Sequence, residues 1–368
     1  MSTGDRRAFL RQAVSTMAAW CAGAGLARVA VAQPQQPGAS VRRREVVVGG
    51  RRVMTVDVHA HCAIPEVAGV VKNTPLSATV QAQLEGPLVV SPDRLRAMDA
   101  QGIDVEVLSI NPYWYSADRE LARRIVDVQN ERLAALCAAR PDRFVPLATL
   151  AWQHPDLAAE QLEFAVRKLG MRGASVGASV NGEELAASKF DPVWATAESL
   201  GVLVFMHPQG VPELRARLEG NGLLTNVIGN PLDTTIALSH LIFEGTLDRF
   251  PGLRICAAHG GGYLASYADR SDHGCLTFPA SCKGTLRKRP SEYFRQQLLV
   301  DSLVFTGEAL RHLVAQCGVG QILMGTDYPF PWTSTAVDHV LNAPGLNDAD
   351  RRAILGGNAA RLLGIAQA

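Results

Sequence analysis

The chain has almost no charge imbalance: Lys and Arg number 36 against 35 Asp and Glu, for a formal net charge of +1. It therefore lacks the basic excess that draws proteins to nucleic acid, and it carries no acidic tail. Aromatic residues are sparse at 6%. No internal repeat is present, and no C-x-x-C occurs among the seven cysteines. No G-x-G-x-x-G follows the first strand-like run, which counts against an open, doubly wound dinucleotide-binding sheet. What is there is ordinary globular material: 368 residues, 47% hydrophobic and 19% charged, enough to bury a sizeable core.

The first 32 residues read as a targeting segment. DRRAFLRQA carries paired Arg6 and Arg7 ahead of Phe9 and Leu10. STMAAWCAGAGLA follows, an apolar run too short for a comfortable membrane span. AVA then precedes Gln33, a small-residue cleavage pattern. The pattern is that of a twin-arginine export signal, predicting cleavage after Ala32, a periplasmic or exported protein and no membrane attachment of the mature chain. An uncleaved anchor is the alternative. That export route carries folded proteins, often with cofactor inserted. Cys21 leaves with the signal. Cys62, Cys137, Cys256, Cys275, Cys282 and Cys317 remain, with Cys275 and Cys282 the nearest pair. An oxidising compartment permits disulfides, but a chain this long does not need them, so mostly buried or free thiols are expected. Cys62 reads as a packing residue.

Residues 33–52 read as a linker and a short hairpin, and REVVVGGRRVMTVDVHAH runs from that hairpin into the first strand of a domain covering 53–368. Apolar runs alternate from there with helical patterns. The runs are VMTVDV (53–58), VEVLSI (105–110), FVPLATL (144–150), GASVG (173–177), VLVFMH (202–207), LRICAAH (253–259), LLVDS (298–302) and ILMGTD (322–327). Between them lie helix-like segments such as PDRLRAMDAQG and HPDLAAEQLEFAVRKLG, several ending in Gly or Pro. Eight strand–helix units predict a single-domain (β/α)8 barrel of the α/β class. Residues 62–90 and 208–233 are longer connections after strands one and five, expected to be lids or substrate walls.

In VDVHAH, His59 and His61 stand two apart at a strand end and so aim the same way. His207 ends the fifth run, His259 the sixth and Asp327 the eighth. Barrel active sites form at these C-terminal strand ends. Individually each has a plain reading: His207 and His259 as satisfied core histidines, Asp327 as a helix cap. Jointly, three histidines and a carboxylate can hold a divalent ion with a position left for water or substrate. The predicted ligands are His59, His61, His207 and Asp327. Nitrogen and hard-oxygen donors suit zinc first, with manganese or cobalt also possible. His259 and Asp327 are the predicted catalytic residues, His259 being the remaining group, close to the metal's water and free to act as general acid or base. Gly260 to Gly262 make either a tight turn or a close approach to ligand. Arg270 is a candidate carboxylate clamp. His154 reads as a cap, His240 as core, His312 and His339 as helix surface, and His273 is undecided.

VDVHAH, FMHP, CAAHGGG and MGTDYPFP together resemble the metal-dependent amidohydrolase superfamily, in particular its branch around 2-amino-3-carboxymuconate-6-semialdehyde decarboxylase. SPDRLRAMDAQGIDVEVLSI, NPLDTTIALSHLIFEGTLDRFPGLRICAAHGGG and ILGGNAARLLG extend the likeness over most of the mature chain. The resemblance implies a TIM barrel with one zinc on the four ligands above and His259 as acid/base. It implies non-oxidative loss of carbon dioxide from a small unsaturated or aromatic carboxylate. It also implies a homodimer in which Arg270 reaches the substrate of the neighbouring subunit, with Gln209 and Phe330 at substrate-touching positions. Two departures stand out. Residues 62–93 hold Lys72 and no arginine where the family clamps its substrate. Gln209 replaces the family's aromatic after His-Pro. The chemistry carries over and the substrate identity does not. The other reading of the same ligand set is a metal-dependent hydrolase of a lactone, ester or amide, since a metal site of this kind serves either reaction.

Overall fold

The computed structural model describes residues 42–282 and 286–366. The predicted export signal and its predicted cleavage point lie outside the described residues. Arg42–Arg52 supplies the expected hairpin, with Val47–Val48 antiparallel to Arg51–Arg52 across Gly49 and Gly50.

All eight predicted strands form, with different lengths. They are Val56–His61, Val105–Ser109, Phe144–Pro146, Gly173–Gly177, Leu203–His207, Arg254–Ala257, Leu298–Asp301 and Ile322–Leu323. The first strand starts three residues later than VMTVDV and takes both histidines into the ladder. The eighth keeps only Ile322 and Leu323 of ILMGTD. Neighbours pair in parallel, strands one to three in one run and four to eight in another. Two seams join these runs. Ala148 N–H donates to the Gly173 carbonyl at 2.8 Å, and Ser175 N–H to Ala148 at 2.9 Å. At the other seam Val58 N–H reaches the Met324 carbonyl at 2.9 Å, Asp327 N–H the His59 carbonyl at 2.8 Å, and His61 N–H the Tyr328 carbonyl at 2.7 Å. The ring is thus closed, last strand to first.

Helices cover the outside. Pro92–Gln101, Pro155–Leu169 and Asp191–Leu200 each stop at a glycine in the left-handed region, Gly102, Gly170 and Gly201, where a side chain would be strained. Alternate strand residues divide between two apolar clusters. Val105, Val107, Leu203, Phe205, Cys256, Leu299 and Leu323 form the inner one, with Ala359 and Leu363 from the C-terminal helix. Leu108, Val204, Met206, Ile255, Val300 and Ile322 pack outward with helix residues such as Ile125, Leu162 and Trp194. No described helix is long and apolar enough to cross a membrane.

Two connections after strands carry structure of their own. Residues 62–90 hold helices Val67–Val71 and Ser77–Leu84, anchored by buried Val67, Val71 and Val80. The short helices of the 208–233 connection, Pro212–Leu214, Arg215–Leu218 and Leu224–Val227, bury no residue. The first is therefore a fixed wall, while the second rests on the surface.

Several expectations need correction. Cys275 and Cys282 are joined in a disulfide; seven residues of helix end and turn bring their Cα atoms to 5.4 Å, within bridging range. The other four, Cys62, Cys137, Cys256 and Cys317, are buried free thiols as expected. His240 is not core: it is half-buried and pairs through Nδ1 with Glu244 one turn on, because its helix turns that side to solvent. His154 occupies the N-cap position of Pro155–Leu169 but makes no capping bond with its side chain. His339 is half-buried.

Candidate metal centre

The first strand carries a register shift between Asp57 and Ala60. Val56 and Val58 belong to the inner cluster, yet His59 and His61 also face the barrel centre. An extra residue in a strand re-aims the side chains beyond it, and such bulges gather beside active sites. Asp57 anchors the irregular stretch: it accepts from His59 N–H at 3.0 Å, Thr326 N–H at 3.1 Å and Thr326 Oγ1 at 2.5 Å.

His59 Nε2 and His61 Nε2 lie 3.0 Å apart. Asp327 Oδ1 is 3.1 Å from the first and 2.9 Å from the second, with His207 Nε2 at 3.9 Å. The donor atoms of His59, His61, His207 and Asp327 all fall within 4.8 Å of one another. His259 Nε2 is 3.5 Å from Asp327 Oδ2. Phe330 places its ring 5.8 Å from that of His61. Asp327 and His259 both hold positive φ, 63° and 56°, a costly conformation for non-glycine residues that clusters at functional sites.

The protonation logic of the cluster calls for a cation. His59 Nδ1–H donates to Asp301 Oδ2 at 2.6 Å. His61 Nδ1 lies 3.2 Å from Ser109 Oγ, which itself donates to the Ala60 carbonyl. With both Nδ1 positions committed, neutral imidazoles would turn their Nε2 lone pairs on each other at 3.0 Å, a clash that either a shared cation or an extra proton on His59 relieves. His207 Nε2 is buried without a hydrogen-bond partner, and Asp327 Oδ1 is met only by the other imidazoles of the cage. Orphaned donors of this kind converging on one point fit a divalent ion, and nitrogen with hard oxygen and no thiolate fits a borderline or hard one.

Electrostatics agree. Burial pushes the His61 imidazole down to about 4, against the pull of Asp327. Burial and the neighbouring imidazoles hold His207 well below its ordinary value. Burial also works to lower His59, but Asp327 and Asp301 outweigh it and hold that imidazole up at about 10. Asp327, though burial opposes it, lies well below the carboxylate range because of His59 and the other imidazoles. Protein charges alone therefore retain one positive charge in the cage, where a metal ion would supply more.

Exposure differs within the group. The side chains of His59 and His61 are 0% exposed, whereas that of His259 is 17% exposed. The side chains of Asp327 and His207 are 5% and 10% exposed, so His259 is the most accessible of the five.

The other predicted residues sit further out. Gln209 donates from its amide to the Pro112 carbonyl at 2.6 Å and lies over Gly177, where a Cβ would come within 2.6 Å of its Oε1. Arg270 is exposed on helix Leu264–Thr277 and is not brought to the cage. Two residues escaped the sequence reading. Asp301 ends the seventh strand and, besides His59, accepts the N–H groups of His259, Gly260 and Leu303 at 3.0, 2.9 and 3.0 Å. It thus fixes a ligand and the turn bearing His259 together. Ser109, ending the second strand, orients His61. Their signal was present: both occupy strand ends, as the ligands do.

The family model described as amidohydrolase matches residues 56–365. The chain belongs to the amidohydrolase family. It is 31% identical over 275 residues to a 2-amino-3-carboxymuconate-6-semialdehyde decarboxylase of Dictyostelium discoideum, covering 74% of this chain and 76% of that one. Against a gamma-resorcylate decarboxylase of Rhodococcus jostii, identity is 32% over 329 residues, covering 83% of this chain and 97% of that one. Among solved structures, a dihydroxybenzoic acid decarboxylase from Polaromonas with bound manganese and 2-nitroresorcinol superposes with a TM-score of 0.75 at 26% identity, covering 86% of this amidohydrolase and 98% of that chain. A 2,6-dihydroxybenzoate decarboxylase complexed with 2,6-dihydroxybenzoate gives 0.74 at 28% identity, covering 85% of this chain and all of the other.

Proposed function

We propose that this amidohydrolase is a metal-dependent, non-oxidative decarboxylase of a small aromatic or unsaturated carboxylic acid. The observation that carries the reading is the buried cage of His59, His61, His207 and Asp327 with His259 on its accessible side, in a chain whose relatives are decarboxylases. A divalent ion in the cage would act as a Lewis acid for substrate oxygens and would lower the pKa of water. His259 protonates the carbon that bears the carboxylate. The carbon–carbon bond then breaks, its electron pair returns to the ring or diene, and carbon dioxide leaves. Asp327 orients His259, and Phe330 offers a face for a flat substrate. Among substrates, ortho-hydroxybenzoates come first, since several relatives act on them by name. Zinc is the proposed ion on donor chemistry, and manganese is to be tried beside it because a related structure binds it.

The test is carbon dioxide release from 2,6-dihydroxybenzoate by residues 33–368 loaded with zinc or manganese, with His259→Ala as control. Turnover that disappears in His259→Ala while one metal per chain remains supports both activity and roles. Loss of metal from that variant would refute the division between ligands and acid/base. Carbon dioxide release from none of the hydroxybenzoates or carboxymuconate semialdehydes, with metal bound, would sink the decarboxylase reading in favour of a hydrolase.

We further propose export through the twin-arginine signal, a reading supported by the Cys275–Cys282 disulfide, a bond of oxidising compartments. We also propose a homodimer in which Arg270, exposed on its helix, reaches the partner's substrate. Light scattering checks the dimer, and the N-terminal residue of the exported protein, expected to be Gln33, checks the cleavage.

A further inference from the structure

We propose that Arg94 is a positioning residue for the metal: it sets the spacing between the ligands of the first strand and Asp327 from outside the barrel. This rests on the metal-site reading alone and not on the reaction the site performs.

Arg94 lies on helix Pro92–Gln101 and is 2% exposed. Its Nε donates to Glu106 Oε2 of the second strand at 2.5 Å. Its Nη1 donates to the main-chain carbonyl of His61 at 2.7 Å. Its guanidinium carbon stands 4.8 Å from the centroid of the Tyr328 ring, a cation–π distance. The N–H of His61 meanwhile donates to the Tyr328 carbonyl at 2.7 Å. Both main-chain polar groups of one metal ligand are thus fixed, one by Arg94 and one by the residue following another ligand. The same guanidinium touches that residue's ring.

A pair placed only to hold the fold would look different. Burying two charges costs several kcal/mol per ion, and apolar replacements of similar volume often serve stability as well. An arginine and a carboxylate left to themselves prefer the two-bond fork. Here Arg94 Nη2 and Glu106 Oε1 are buried without partners, because the guanidinium is turned to reach the His61 carbonyl. Glu106 neutralises the arginine, so a cation behind the cage does not oppose the cation within it. Lysine could supply the charge but not both bonds and the flat face.

The experiment measures metal affinity by competition with a chromophoric chelator, and the visible absorption of the cobalt(II)-loaded protein. The variants are Arg94→Lys and the charge-free pair Arg94→Met/Glu106→Leu, with thermal unfolding in chelator to confirm the fold. Both should bind zinc at least about tenfold more weakly than the parent, the usual effect of losing a group that orients a ligand. The cobalt bands should shift, because ligand geometry changes. Parental affinity with an unchanged cobalt spectrum in the double variant would overturn the proposal, since the pair would then be structural only. Should the double variant not fold, Arg94→Lys decides by the same criterion. A parent that binds one metal but releases no carbon dioxide would refute the decarboxylase reading and leave this result intact.

Discussion

His59 is the residue on which the centre's charge turns. Asp327 and Asp301 hold its imidazole up at about 10 although burial works against them, so at neutral pH the chelated protein keeps a proton there. Metal must displace it. Binding at pH 7 should release about one proton per ion, measurable by calorimetry in buffers of different ionisation enthalpy, and affinity should rise with pH toward about 10. The sign for stability is opposite. A histidine raised in the folded state gives its full stabilisation below its ordinary 6.5 and loses it as pH climbs through about 10. The melting temperature of chelated protein should therefore fall across that window, and that of metal-loaded protein should not follow it. Asp301→Asn removes the charged acceptor from His59 Nδ1 and should weaken metal binding about 10- to 100-fold; unchanged affinity would show that the 2.6 Å bond is idle. His59, His61, His207, His259 and Asp327 were legible because each residue type is metal-competent and each ends an apolar run. Asp301 ends such a run as well, but a lone carboxylate has no spacing partner in sequence to mark it. Arg94 was illegible for another reason: in PDRLRAMDAQG it occupies an ordinary helical position, and its role depends on a carbonyl 33 residues away.

At the scale of elements, strand existence was readable and strand length was not. Apolar runs report burial on both faces, which continues past the ladder: FVPLATL stays buried throughout although only Phe144–Pro146 pairs as a strand. The bulge in VDVHAH was equally hidden, since strict alternation in the sequence reads as a regular strand. The turn after the sixth strand is tighter than its glycines alone imply. Gly262 holds φ 66°, and a Cβ there would come within 2.2 Å of the Pro231 carbonyl oxygen and 2.6 Å of Thr235 Oγ1. Gly262→Ala should cost at least about 2 kcal/mol by chemical denaturation, from backbone strain plus the clash, and should lower turnover further by moving His259. A stability within about 0.5 kcal/mol of the parent would show that the turn yields.

For the whole molecule, the Cys275–Cys282 bridge closes only a short loop, so its contribution by chain entropy is about 2 kcal/mol. It lies on the helix and turn beyond His259 and touches no metal ligand. Cys275→Ser/Cys282→Ser should lower the melting temperature modestly and leave metal stoichiometry unchanged. Loss of metal would mean that this surface segment supports the centre. The closing seam has a consequence of its own. The eighth strand pairs through only two residues with the seventh, and the barrel is sealed to the first strand by the amides of Val58, His61 and Asp327. The metal cage straddles that seam, with ligands on both of its sides. An ion held there by His59 and His61 on one side and Asp327 on the other would act as a clasp between the beginning and the end of the barrel chain. Removing it should leave most of the barrel's amides protected from hydrogen–deuterium exchange while those three begin to exchange first, so that the molecule opens like a ring at its joint.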